Sequence, residues 1–241
     1  MLINEIEITG ASFGFQRLIA TVDDTSKLFT KLMSQDGIFD LEAETPGVHD
    51  VDHNNDVIRG FFSAVVPFEV EHLVEGISTK TLLKRIESCE FILTRRIAIA
   101  FGQNNPTKLF QMFLSTATGC CVDKAEYDYP KLYRLQERLS KVSNIALLNP
   151  KTTPIRKAKL AGNIEHYAEY DCVNRSEHVI DYVQGMVNDT PIGSLKLKVA
   201  KNGRINLGVR RGTIVPVETL EWLIEFIEKD SVELTKEPTL F

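Results

Sequence analysis

His49-Asp50-Val51-Asp52-His53-Asn54-Asn55-Asp56 is the densest run of metal-ligating residue types in the chain. Its Asp-x-Asp-x-Asn order partly follows a calcium loop. Such a loop wants glycine at its sixth position for a sharp turn and a bidentate glutamate at its twelfth. Asn55 and Phe61 stand there instead. His49 and His53 would share a helix face at i, i+4, but Pro46-Gly47 favours a loop. We read residues 45–56 as a solvated acidic loop and expect no metal site.

Carboxylate pairs come next. Glu165, Glu169 and Asp171 fit one strand face, and Glu69 and Glu71 another. Paired carboxylates near a lysine could serve a metal-dependent nuclease. No aspartate followed at strand spacing by Glu-x-Lys accompanies them. Cys172 with His166 or His178 would make a thiol–imidazole pair, on one cysteine and one histidine only. The phosphate-binding loop, the dinucleotide fingerprint, the His-Glu-x-x-His zinc helix and the nucleophile elbow are all missing. No catalytic residue and no cofactor is therefore expected.

Positive charge gives a sharper pattern. The total is 28 Lys/Arg against 33 Asp/Glu. Residues 1–76 hold 4 basic and 14 acidic residues, 77–216 hold 22 and 12, and 217–241 hold 2 and 7. A basic middle between acidic ends points to a local anion-binding surface.

Two elements concentrate that charge. Asn202-Gly203 marks a hairpin. A two-residue turn would mix its faces. A three-residue loop, Lys201-Asn202-Gly203 with left-handed Gly203, pairs Val199 with Ile205, Leu197 with Leu207 and Leu195 with Val209. The other face then carries Lys196, Lys198, Arg204, Asn206 and Arg210, with Arg211 just beyond. Like charges facing across strands repel, so an external anion would stabilise this face. The second element is the helix capped by Asp128. Lys131, Arg134, Arg138 and Lys141 recur at spacings of 3, 4 and 3 beside the apolar stripe Leu132, Leu135, Leu139 and Val142. A stripe of one sign forgoes the small i, i+4 ion-pair terms. The last helix mirrors it with Glu218, Glu221, Glu225 and Glu228. The two helices could meet within one subunit or across a dimer.

The surrounding elements follow from periodicity. Leu2–Ile8, 13–22, 57–66, 68–74 and 91–101 read as strands. Asp24 or Thr25 caps a helix on Leu28, Phe29 and Leu32. Asn105, Pro106 and Gly119 bound another. Residues 78–90 read as a helix on Leu82, Leu83 and Ile86. Ser176 caps a helix on Val179, Ile180, Val183 and Val187. Cys89, Cys120, Cys121 and Cys172 form no C-x-x-C pair and are too sparse for a disulfide framework. Free thiols, a start without a secretory signal and the lack of a long apolar run place the chain in the cytoplasm, away from membranes.

The expected fold is α+β, a mixed or mainly antiparallel sheet with helices packed on one face, in two loosely separable lobes. The N-terminal lobe spans 1–148, a basic proline-containing linker 149–163, and a C-terminal hairpin and helix lobe 164–241. The expected function is non-enzymatic binding of a DNA or RNA backbone within a larger assembly, through Lys196, Lys198, Arg204, Arg210, Arg211, Lys131, Arg134, Arg138 and Lys141. The alternative is a scaffolding subunit whose charged faces meet protein partners, including self-association through the acidic C-terminal helix. A metal-dependent nuclease is the third reading.

Overall fold

The computed structural model describes residues 3–10, 12–54, 56–74, 77–148, 157–162, 164 and 179–229. In chain order the elements are β1 (Glu5–Glu7), β2 (Phe13–Ile19), α1 (Thr25–Leu32), β3 (Gly47–Asn54), β4 (Val57–Val74), β5 (Ile77–Leu93) and β6 (Ala98–Phe101). Then come α2 (Asn104–Thr118), β7 (Asp123–Lys124), α3 (Tyr129–Arg138), β8 (Lys141–Leu148), β9 (Lys157–Ala161), β10 (Val179–Thr190), β11 (Gly193–Ala200), β12 (Arg204–Gly208), β13 (Ile214–Pro216) and α4 (Val217–Glu228). The chain divides into two units, one built on residues 15–125 and one on 4–14 with the residues from 126 onward.

In the first unit the strand order is β3-β4-β5-β6-β2, with β7 on β2, and every pairing is antiparallel. Phe62, Phe91, Phe110 and Leu114 are buried together with Leu28 and Leu32. The rings of Phe91 and Phe110 stack at 4.7 Å. Asp24 caps α1 by accepting the Lys27 N–H, and that bond holds its carboxyl below the usual range. Gly119 ends α2 at φ 71°, a left-handed conformation that costs glycine least.

The second unit orders its strands β12-β11-β10-β8-β9, again antiparallel, with β1 and β13 as a separate pair. Its buried side chains include Ile180, Val183, Leu195, Leu197, Val199, Ile205 and Leu207 from the strands. Leu132, Leu135, Leu220, Leu223, Ile224 and Ile227 join them from α3 and α4.

Among the described residues strand outweighs helix, 51% to 25%, in a large antiparallel arrangement with four helices rather than a clear helical layer on one sheet face. The expected α+β arrangement is corrected accordingly. Two expected helices are strands. Residues 78–90 belong to β5, which pairs with β4 from Val74↔Ile77 to Ile58↔Leu93. Residues 179–187 belong to β10, between β8 and β11. Both stretches have apolar positions that fit a helix, but Val, Ile, Thr and Tyr suit a pleated surface. Gly185 shows the constraint directly: a Cβ there would lie 2.4 Å from the Lys141 carbonyl oxygen on β8. The polar run at 47–54 is strand β3, with His49, Val51 and His53 half-buried and Asp50, Asp52 and Asn54 exposed. Lys157–Ala161, inside the stretch read as a linker, is strand β9. Ser176, Cys172, His166, His178, Glu165, Glu169 and Asp171 lie outside the described residues.

Candidate functional site

The β11–β12 hairpin has the register that keeps its faces pure. Val199 pairs with Ile205, Leu197 with Leu207 and Lys198 with Asn206. Gly203 has φ 75°, and its N–H donates to the Ala200 carbonyl at 3.0 Å. Asn202 Oδ1 accepts the Arg204 N–H. Leu195, Leu197, Val199, Ile205 and Leu207 point inward and are buried. Lys196, Lys198, Arg204 and Asn206 therefore share the opposite, open face. Gly14 permits close approach there, because a Cβ on it would lie 2.4 Å from Asn206 Oδ1.

That face continues across the neighbouring strands, since directly paired residues share a side. Lys198 pairs with Gln184, which pairs with Asn144 and then Ala161. Lys196 pairs with Met186, which pairs with Lys141. Tyr182 pairs with Ala146, which pairs with Lys159. Lys141, Lys157, Lys159 and Lys196 are exposed, and Lys198 and Arg204 half-buried. The Lys198 ammonium sits 4.0 Å from the centre of the Tyr182 ring. Such a contact holds a cation in place without cancelling its charge.

A cavity of about 580 Å³ opens on this face. Lys157, Lys198, Lys201, Arg204, Asn202 and Asn206 line it, with Tyr182, Asp181 and Glu126. Asp181 Oδ2 accepts from Lys157 Nζ at 2.9 Å, and this bond raises the Lys157 pKa. The Asp181 carbonyl accepts the Lys201 N–H at 2.8 Å, which ties the turn to β10. Tyr182, Lys157, Lys159 and Lys201 were not among the expected site residues. The Lys-Ala-Lys alternation at 157–159 carried a strand signal that the prolines at 150 and 154 masked.

The helical stripe is shorter than expected, with Lys131, Arg134 and Arg138 on α3 and Lys141 beyond it. α3 ends at Arg138, so Lys141 starts β8 and joins the open sheet face instead. Arg138 donates from Nη1 to the Phe226 carbonyl at 2.5 Å and from Nη2 to the Ile227 carbonyl at 3.2 Å. Its guanidinium lies 5.2 Å from the Phe226 ring centre. Arg138 thus satisfies the C-terminal carbonyls of α4, where a cation also complements the helix dipole. Tyr127 Oη donates to Glu228 Oε1 at 3.3 Å. α3 and α4 meet within one subunit. Lys131 is exposed and Arg134 half-buried on α3. Arg210 and Arg211 follow the last described hairpin pair, Lys196↔Gly208, in the turn toward β13, so they are off the ladder.

β3 holds a different polar arrangement. The β3–β4 register shifts between His49 and Asp52, and Asp50 has φ 49°. His49 Nδ1 is 2.9 Å from Asp50 Oδ2, its Nε2 2.8 Å from Ser63 Oγ, and Ser63 Oγ 2.6 Å from Ser88 Oγ. Carboxylate, imidazole and hydroxyl follow the order of an acyl-transfer triad. Ser63 is only 1% exposed, so no carbonyl substrate reaches its oxygen. The chain ties three strands together. Among the described residues, no group of three His, Cys, Asp or Glu side chains is placed to hold a metal ion. Glu69 is held by Lys80 at 3.1 Å and Glu71 accepts from Ser78. No described helix is long and apolar enough to cross a membrane.

No protein-family model matches the chain, and no curated protein matches it.

Proposed function

We propose that the open face of β12-β11-β10-β8-β9 binds the phosphate backbone of a nucleic acid. The observation that carries this reading is the hairpin register, which turns Lys196, Lys198 and Arg204 to one side while the apolar side is buried. Lys141 and Lys159 extend the same surface, and Asn144, Gln184 and Asn206 add neutral hydrogen-bonding groups. Six cationic side chains on one sheet face, against Asp181 and Glu126, favour an anion that spans several strands. A chain of phosphates meets that description better than a single small anion. Contacts of this kind fix position and carry no sequence information, so binding is expected to be indifferent to sequence.

The site acts mainly by charge, with no covalent bond made or broken. Each phosphate neutralised releases condensed counterions, so affinity falls linearly with salt on logarithmic axes. A fluorescence-anisotropy titration of the full chain against duplex DNA, single-stranded DNA and RNA at several salt concentrations tests the reading. Binding to at least one of them with a steep salt dependence is expected. The absence of binding at about 50 mM salt, where the Debye length exceeds about 10 Å, would overturn it.

A further inference from the structure

We propose that the distal part of the β4–β5 hairpin joins copies of this chain edge to edge, the β4 edge of one copy lying against the β5 edge of the next. Beyond Ser63, the described ladder gives β4 no partner other than β5, because β3 pairs only from Gly47↔Ser63 to Asn54↔Val57. Before Glu90, β5 likewise has only β4, because β6 pairs with Glu90–Leu93 alone. Among the described residues the distal arm is therefore a two-stranded ribbon with two open edges. A two-stranded ribbon is marginal in water, and an open edge is a template for another strand. The arm also shows apolar side chains to solvent: Leu82 is 66% exposed, Ile86 50% and Leu83 44%.

The charges select the occupant. Residues 64–74 of β4 carry Glu69 and Glu71 and no Lys or Arg. Residues 78–88 of β5 carry Lys80, Lys84 and Arg85 against Glu87. By composition one edge is acidic and the other basic, although Lys84 also bonds Glu44 at 2.5 Å and Arg85 bonds Glu87. Within the arm, Glu71 pairs with Lys80 and Pro67 with Lys84, both on one face. A second arm laid alongside and pointing the same way brings its Glu71 level with the first arm's Lys80. The alternation of acid and base then continues from copy to copy. Pairing like edges instead would set Lys80, Lys84 and Arg85, or Glu69 and Glu71, against their own copies, which is unfavourable. The Lys80–Glu69 bridge inside the arm is 65% and 62% exposed and so contributes little alone. A contact between two different edges is heterologous, and it builds a ring or an open chain of subunits.

Sedimentation velocity on the full chain tests this. Species of at least twice 27.2 kDa are expected at about 100 μM protein, shrinking as salt is raised. The double variant Glu69→Lys/Glu71→Lys makes both edges basic, and Lys80→Glu/Lys84→Glu makes both acidic. Each alone should sediment as a monomer with an unchanged circular dichroism spectrum. Mixed in equal amounts they should associate again, because each now supplies the edge the other lacks. A monomeric wild-type chain overturns the proposal. So do variants that associate as well as the wild type, which would locate self-association elsewhere, and so does a mixture of folded variants that stays monomeric.

Discussion

Arg138 is a structural cation, set apart from the cations of the proposed binding face. Its guanidinium spans the Phe226 and Ile227 carbonyls at 2.5 and 3.2 Å and rests on the Phe226 ring. Hydrogen bonds from a charged donor contribute about 1.5–3 kcal/mol, and a cation at a helix C-terminus adds about 0.3–1 kcal/mol. The site is half-buried and water partly replaces the lost donors. Arg138→Ala is therefore expected to cost about 2–3 kcal/mol. Arg138→Lys keeps the charge but loses the planar fork, so about half that loss is expected. Trp222 is the one tryptophan, and it stacks on Phe226 at 5.4 Å, so its fluorescence reports on this helix. In a urea titration followed by that signal, the midpoint should fall while the slope stays constant. Nucleic-acid affinity should not change. A stability loss under about 0.5 kcal/mol, the range of an ordinary surface substitution, would refute the assignment. So would a loss of binding at unaltered stability.

Other consequences are equally direct. Gly203→Val forces a branched residue to φ 75° and should destabilise the chain by about 1–3 kcal/mol in the same assay; a loss near zero would undo the hairpin register. Gly185→Ala places a methyl against the Lys141 carbonyl oxygen, and a loss of about 1–3 kcal/mol from overpacking is expected; an unchanged midpoint would contradict the β8–β10 approach. Burial pushes the Cys89 thiol up to about 12 from 9.0. At pH 8, alkylation mapped by mass spectrometry should modify the exposed Cys120 and Cys121 far faster than Cys89. Because the folded state holds this proton longer than the unfolded chain, the Cys89 contribution to stability is intact below pH 9 and declines as pH rises toward 12. A Cys89→Ala variant should lack that part of the alkaline decline, and an identical decline in both proteins would refute the burial argument.

The local signals that proved readable share one physical origin. Asp24, Asp128 and Gly119 end helices through bonds made within a few residues. The hairpin register followed from a single requirement, that Val199, Leu197, Ile205 and Leu207 face the same way. What could not be read depends on distant partners. Leu82, Leu83 and Ile86 fit a helix face, and only the presence of β4 alongside makes 78–90 a strand. Val183 and Val187 fit a helix equally well until β8 and β11 flank them. His49 to Asn54 reads as a loop by composition, yet its alternation of half-buried and exposed positions is that of a strand. For the candidate site, the hairpin cations were legible because their placement is local. Lys141 was expected on the helical stripe, but α3 ends before it and it begins β8 on the sheet face of the hairpin cations. The bonds of Arg138 to α4 were not legible, because its acceptors lie about ninety residues away.

The most direct test of the proposed phosphate-binding face is the salt dependence of binding in two proteins. Lys157 is engaged by Asp181, and Lys141, Lys159, Lys196, Lys198 and Arg204 are the proposed phosphate contacts. If all five engage duplex DNA, log affinity against log salt should have a slope near −4.5, at about −0.9 per contact. Replacing Lys141, Lys196, Lys198 and Arg204 with Gln should flatten it to about −1 for every sequence tested, with stability changed by no more than about 1 kcal/mol. A variant that keeps the wild-type slope would show that the anion binds elsewhere.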